Sequence, residues 1–229
     1  MRSRLLLLIA IPTVTALAFG GVQVASAIQS ALAFQRAEER AVLASDITQL
    51  AQVLETERDQ TIYYIAQGSG GRAGDLSSTA SAATRSGAAQ QYKAIRAFYG
   101  QTDQAANHFR ALLAQYDGAY SGVAQQEVSA AVDGLDTLHY LRLGSTRTLL
   151  SPLVVVQKYA DLIDNLLVID DQAAQGTGDP TLSQTVQVLG LVSRMKEQAS
   201  KQRAILSAAL LMGTLGQAQA AALSTAQAN

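Results

Sequence analysis

The pattern of apolar and polar positions divides the chain into two parts. Leu5 to Gln35 carries no charge, and Leu5 to Ile28 is almost continuously apolar, although Pro12, Gly20, Gly21 and Gln23 interrupt its far half. A membrane-crossing helix needs about 20 such residues. From Ile28 to Ala66 the pattern turns periodic and contains neither Gly nor Pro. Ile47, Leu50, Leu54, Ile62 and Ile65 recur at three- and four-residue spacings, which predicts one long amphipathic helix. It stops at Gly68-Ser69-Gly70-Gly71, and the Gly-, Ser-, Ala- and Thr-rich stretch to Gly87 reads as a loop.

Four more helices follow in the same reading. Tyr92, Ile95, Phe98, Tyr99, Phe109, Leu112 and Leu113 mark the apolar side of a second, from about Ala88 to Tyr116. A third runs from about Val123 to Leu141, with a break near Gly144. Ser151-Pro152 gives an N-cap with proline at the first helical position, opening a fourth that carries Val155, Tyr159, Leu162, Ile163 and Leu166. Asp179-Pro180 repeats the signal for a last helix to at least Leu211. No strand is expected. The fold class is therefore all-α: an N-terminal transmembrane helix followed by an antiparallel helical bundle.

The flanks of the first segment give it a direction. Arg2 and Arg4 precede it, and Glu38 and Glu39 follow. This places the N-terminus in the cytoplasm and residues after about 30 outside the cell membrane. Residues 1–28 are read as a transmembrane anchor in contact with lipid, or as a signal peptide cleaved near Ala25-Ser26-Ala27. Residues 29–229 form the helical domain.

Composition narrows the chemistry. There is no Cys and there are two His, which removes thiolate metal sites, cysteine catalysis and a three-histidine zinc site. A net charge of -1 argues against nucleic acid as a partner. His108 and His139 lack metal-ligand spacing and read as solvated or hydrogen-bonded. Tyr63-Tyr64 reads as packing, and Asp133/Asp136 and Asp170-Asp171 as solvated helix turns. No nucleotide-binding, nucleophile-elbow or zinc-protease motif occurs. Catalytic residues, metals and cofactors are not expected within the chain.

Two arginines break the apolar pattern. Arg58 lies four residues after Leu54 and four before Ile62. Arg203 follows Met195 and Ala199 and precedes Leu206 and Leu210 at helical spacings. A guanidinium on an apolar stripe must meet an anion. That anion is either a protein carboxylate or a small planar oxyanion matched to the guanidinium fork. Alternatively Arg58 sits at the helix edge with its head in water, or pairs with Glu55 or Glu57 of a neighbouring chain.

At this point the residues resemble a family. Leu54-Glu55-Thr56-Glu57-Arg58-Asp59-Gln60-Thr61 is similar to the L-x-x-E-R-G-x-S helix of nitrate- and nitrite-sensing (NIT) domains. Ile95-Arg96 followed by Thr102-Asp103-Gln104-Ala105, Leu138 to Arg142, and Lys196-Glu197-Gln198-Ala199-Ser200-Lys201-Gln202-Arg203-Ala204 resemble later stretches of it, in order, over about residues 45–215. The resemblance implies an all-helical extracytoplasmic sensor of an actinobacterial sensor histidine kinase, acting in two-component signalling as a homodimer. It implies nitrate or nitrite as ligand and Arg58 and Arg203 as anion-binding residues. It further implies a domain incomplete at its C-terminus, with a second span and a kinase beyond Asn229. Asp59 stands where the family has Gly, which puts a carboxylate beside Arg58. The competing expectation is a structural or protein-interaction bundle that dimerises or docks a secreted partner, with Arg58 in an internal ion pair.

Overall fold

A computed structural model describes residues 41–65, 82–115, 122–147, 150–175, 180–212 and 216–228, with single positions 23, 31, 35, 38 and 39 before them. The chain divides into a unit of residues 1–42 and a unit of residues 43–229. In the first unit the described positions are helical, and Gln35 donates to Glu39 one turn on at 3.1 Å. No helix among the described residues is long and apolar enough to cross a membrane. Apart from Gln23, the Leu5–Ile28 segment lies outside the described residues.

The second unit is a helical bundle. Helix α1 spans 41–65, and its residues from 43 onward belong to this unit. The following elements are α2 (Ala82–Gln115), α3 (Gly122–Asp136), α4 (Leu138–Thr146), α5 (Pro152–Gln175), α6 (Pro180–Met212) and α7 (Gln217–Ala228). The α1 stripe is where its periodicity puts it: Ile47, Leu50, Leu54 and Ile62 are buried. They meet Phe109 of α2, Leu135 of α3, Leu138 of α4, Val155, Ile163 and Leu166 of α5, and Ile205 of α6 in one core. Each large apolar side chain fully buried there contributes about 1.5–3 kcal/mol. Helix α5 packs against α3 and α6, and α6 against α7. Helices α5 and α6, consecutive described elements of the chain, thus lie side by side in the bundle.

Three boundaries differ from the sequence reading. Helix α2 starts at Ala82, six residues earlier than expected, inside a stretch whose alanines favour helix despite its small polar neighbours. The expected third helix is two helices. Thr137 interrupts it, with its amide N–H and its hydroxyl both donating to the Gly134 carbonyl at 3.0 and 2.6 Å. Gly144 does not break the chain but lies within α4. A β-carbon there would come within 3.0 Å of Leu150, so glycine serves close packing. The Ser151-Pro152 start is as expected: Pro152 is the first residue of α5, and the Val154 amide donates to Ser151 Oγ at 3.4 Å.

Candidate functional site

Helix α1 carries Glu55, Glu57, Arg58 and Thr61 on positions that the bundle buries. Arg58 is among the largest fully buried side chains in the chain. Its Nη1 donates to Glu197 Oε1 at 2.6 Å and its Nη2 to Ser200 Oγ at 2.8 Å, both on α6. The ion pair is nearly dry, with side-chain exposures of 0% and 2%. It is also incomplete. Arg58 Nε and Glu197 Oε2 are buried without a hydrogen bond, and so is Asp59 Oδ1, 3.7 Å from Arg58 Nε.

Burial pushes the Glu197 carboxyl up to about 7. Arg58 opposes that rise, while Glu55 and Asp164 add to it. The same kind of burial raises Asp164 on α5, against the pull of Lys201, Arg194 and Arg58. Glu55 is tied to Lys196 at 3.3 Å.

Arg203 meets this group from outside. Its side chain is 64% exposed, and Nη2 donates to Asp59 Oδ2 at 2.6 Å and to Ser200 Oγ at 3.2 Å. The stripe on which the sequence places Arg203 is real, but it faces away from the bundle: Met195, Leu206 and Leu210 are exposed. The two arginines expected to form the site thus converge on one hydroxyl. Ser200 Oγ accepts from both, which uses its two lone pairs and leaves its own proton to donate. Two guanidiniums and a hydroxyl thus make a cradle of hydrogen-bond donors, with Glu197 and Asp59 as built-in counter-charges. The carboxylate facing Arg58 closely is Glu197, from another helix of the same chain. Asp59 chiefly holds Arg203.

A third arginine, which periodicity did not single out, meets α1 one position along, at Glu57. Arg142 of α4 grips Glu57 with a two-pronged fork: Nε to Oε1 and Nη2 to Oε2, both at 2.8 Å. Its Nη1 donates to Asp103 at 2.7 Å, and the guanidinium lies 4.6 Å over the Tyr99 ring. The Tyr159 hydroxyl donates to Glu57 Oε1 at 2.6 Å. Burial raises the Tyr159 and Tyr99 phenols, and the Glu57 charge raises them further. Burial alone would lower Arg142, but Glu57 and Asp103 hold it above its usual range. The sequence signal was weak: at helical spacings Arg142 has Leu138 before it but the polar Ser145 and Thr146 after it.

The remaining expectations divide. His108 is exposed and pairs with Asp46 at 2.7 Å. Tyr64 is buried against Tyr92, whereas Tyr63 is half exposed. Asp136 binds Arg110 at 2.7 Å. The side chains of Asp170 and Asp171 lie outside the described residues. Among the described residues no group of three or more His, Asp or Glu is placed to hold a metal ion.

Residues 49–229 match the family model described as nitrate and nitrite sensing (NIT). The structure of the NasR transcription antiterminator is similar in fold, with a TM-score of 0.67 at 21% identity over 84% of this chain. The chain spans 48% of that protein's length. No curated protein sequence matches the chain.

Proposed function

The chain belongs to the nitrate- and nitrite-sensing (NIT) family, and from that premise we propose that it senses a small planar oxyanion, nitrate or nitrite, at Arg58 and Arg203. The observation that carries the reading is the half-satisfied pair in the core. Arg58 is wholly buried, yet one of its guanidinium nitrogens and one oxygen of its partner Glu197 make no hydrogen bond.

An anion entering beside Ser200 would take the free Arg58 donor, the Ser200 proton and an Arg203 donor. Glu197 would then be a displaced or protonated counter-ion. The cradle is made by α1 and α6, so a ligand that binds one spacing of these helices better than another shifts the population of that spacing. In this reading the bundle is the extracytoplasmic part of a two-component membrane receptor. It is anchored through Leu5–Ile28 with the N-terminus in the cytoplasm, works as a homodimer, and passes small displacements of α1 towards the membrane.

Titration calorimetry on the full chain in detergent tests the site. Nitrate and nitrite at millimolar concentration should release heat that chloride at equal ionic strength does not, and Arg58→Ala should abolish it. Absence of heat, or heat unchanged in Arg58→Ala, defeats the proposal. One observation favours a second reading, a structural or partner-docking bundle: Arg58 already has a carboxylate within the chain. In that case Arg58→Ala lowers the melting temperature, and nitrate leaves the wild-type melting temperature where it is.

A further inference from the structure

Helix α6 is apolar on two opposite faces. One face carries Ala204, Ile205 and Ala208 into the core, together with the Glu197–Ser200 site. On the other, Val188, Leu189, Leu191, Val192, Met195, Leu206 and Leu210 are exposed, Met195 at 72% and Leu210 at 81%. At 100° per residue, Val188, Val192, Met195, Ala199, Leu206 and Leu210 fall on a single stripe diametrically opposite the buried face, with Leu189 and Leu191 at its edges. A surface helix shows one apolar stripe, and a helix apolar on both sides is built to be covered on both.

We propose that this outer stripe of α6 is a self-association seam, on which α6 of a second copy of the chain packs in parallel about a two-fold axis. The extent fits. At these exposures the seven side chains present roughly 600–700 Å² per chain, near the ~800 Å² per partner of a standard interface and above most of the ~300–600 Å² range for the largest patch on a monomer. The spacing fits from Val188 to Ala199, where steps of four, three and four residues are those of a coiled-coil seam; the next step, Gln202, donates to the Ala226 carbonyl of α7, which borders the stripe there.

Charge selects the direction. Lys196 and Arg203 border the seam on one side, and each is held by a carboxylate of its own chain, Glu55 at 3.3 Å and Asp59 at 2.6 Å. An antiparallel pairing centred between Ala199 and Ser200 would set Lys196 against Arg203 of the partner subunit. A parallel pairing sets Gln198 there, and no like charges meet. The seam gives the homodimer of the functional reading its face. It also puts the exposed arginine of the anion site at the edge of the interface.

The chain has no Cys, so single cysteines report the contact directly. Met195→Cys, Ala199→Cys and, on an exposed position of α4, Tyr140→Cys are made in the full chain in detergent and oxidised without nitrate. Positions 195 and 199 should form covalent dimers at least ten-fold faster than position 140. Adding Leu206→Glu to Met195→Cys should cut that rate about ten-fold with an unchanged far-UV spectrum, because Leu206 is exposed within one chain. Cross-linking at 195 no faster than at 140 overturns the seam. Cross-linking at 199 but not 195 overturns its parallel direction. Neither outcome bears on nitrate binding, so this proposal and the anion reading fail separately.

Discussion

Glu57 and Arg58 are neighbours on α1, and each anchors an ion pair inside the same bundle, yet the two pairs are built to different standards. In the Glu57–Arg142 pair both carboxylate oxygens and all three guanidinium nitrogens are engaged, and the group ties α1 to α2, α4 and α5. In the Arg58–Glu197 pair one nitrogen and one oxygen are buried without a partner, and the hydrogen bonds of Arg58 among the described residues tie α1 to α6. Fully satisfied networks rigidify a core, whereas an unsatisfied donor keeps an unmet demand for an acceptor. The difference teaches that the first pair is complete in itself, whereas the second leaves hydrogen-bonding capacity unused.

The largest effect should come from breaking the satisfied pair. Arg142→Ala leaves Glu57 as an uncompensated buried carboxylate, which costs about 3–5 kcal/mol. Chemical denaturation should show that loss, and a loss under 1 kcal/mol would mean that the clamp is decoration. Arg58→Ala should cost less, about 1–3 kcal/mol, because Glu197 can take up a proton near neutral pH. It should nevertheless remove the nitrate response, which Arg142→Ala, where still folded, should only weaken. The contrast collapses if the two variants lose stability and nitrate heat in the same proportion.

Much of this was legible in the sequence, for a physical reason. A helix must show its apolar stripe at a period of 3.6, so Ile47, Leu50, Leu54 and Ile62 exposed the core, and Arg58 stood out as the exception. The partner of Arg58 did not stand out. Glu197 is 139 residues away, on a helix whose two apolar faces cancel any single stripe. The same cancellation hid the fact that Arg203 borders an exposed face. Arg142 passes only half of the test that found Arg58, because Leu138 precedes it by one turn but Ser145 and Thr146 follow, and it lies on a nine-residue helix whose start at Leu138 depends on a turn at Thr137. Local signals for such a turn are weak, since Thr is neither Gly nor Pro.

A smaller effect separates the pairs by pH. The Glu197 carboxyl lies at about 7, raised by burial and by the charges of Glu55 and Asp164, and lowered by Arg58. Of the neighbouring charges, Lys196 pairs with Glu55, Arg203 pairs with Asp59, and Lys201 and Arg194 act on Asp164. An incoming anion favours protonated Glu197. Nitrate affinity should therefore be level below pH 7 and fall up to about ten-fold per unit above it. Stability has the same sign. A carboxyl raised in the folded state binds its proton more tightly there than in the unfolded chain, so stability is lost as pH rises from about 4.5 to 7. Glu197→Gln should flatten both profiles. Calorimetry at pH 6, 7 and 8 reads the first, and a slope that persists in Glu197→Gln assigns the proton elsewhere.

The smallest effect concerns Asp59, where the family resemblance has Gly. Asp59 accepts from Arg203 at 2.6 Å, but the Arg203 side chain is 64% exposed, and such a pair is worth about 0–1 kcal/mol. Asp59→Gly adds a helix-interior glycine at roughly 1 kcal/mol, so Asp59→Ala is the cleaner change. It should move the melting temperature little. What it removes is the carboxylate that competes with an incoming anion for Arg203, and a buried oxygen 3.7 Å from Arg58 Nε. Nitrate affinity should rise several-fold, with the pH slope from Glu197 intact. A fall in affinity would show that Asp59 positions Arg203 for the ligand and does not compete with it, and the cradle would then depend on four residues instead of three.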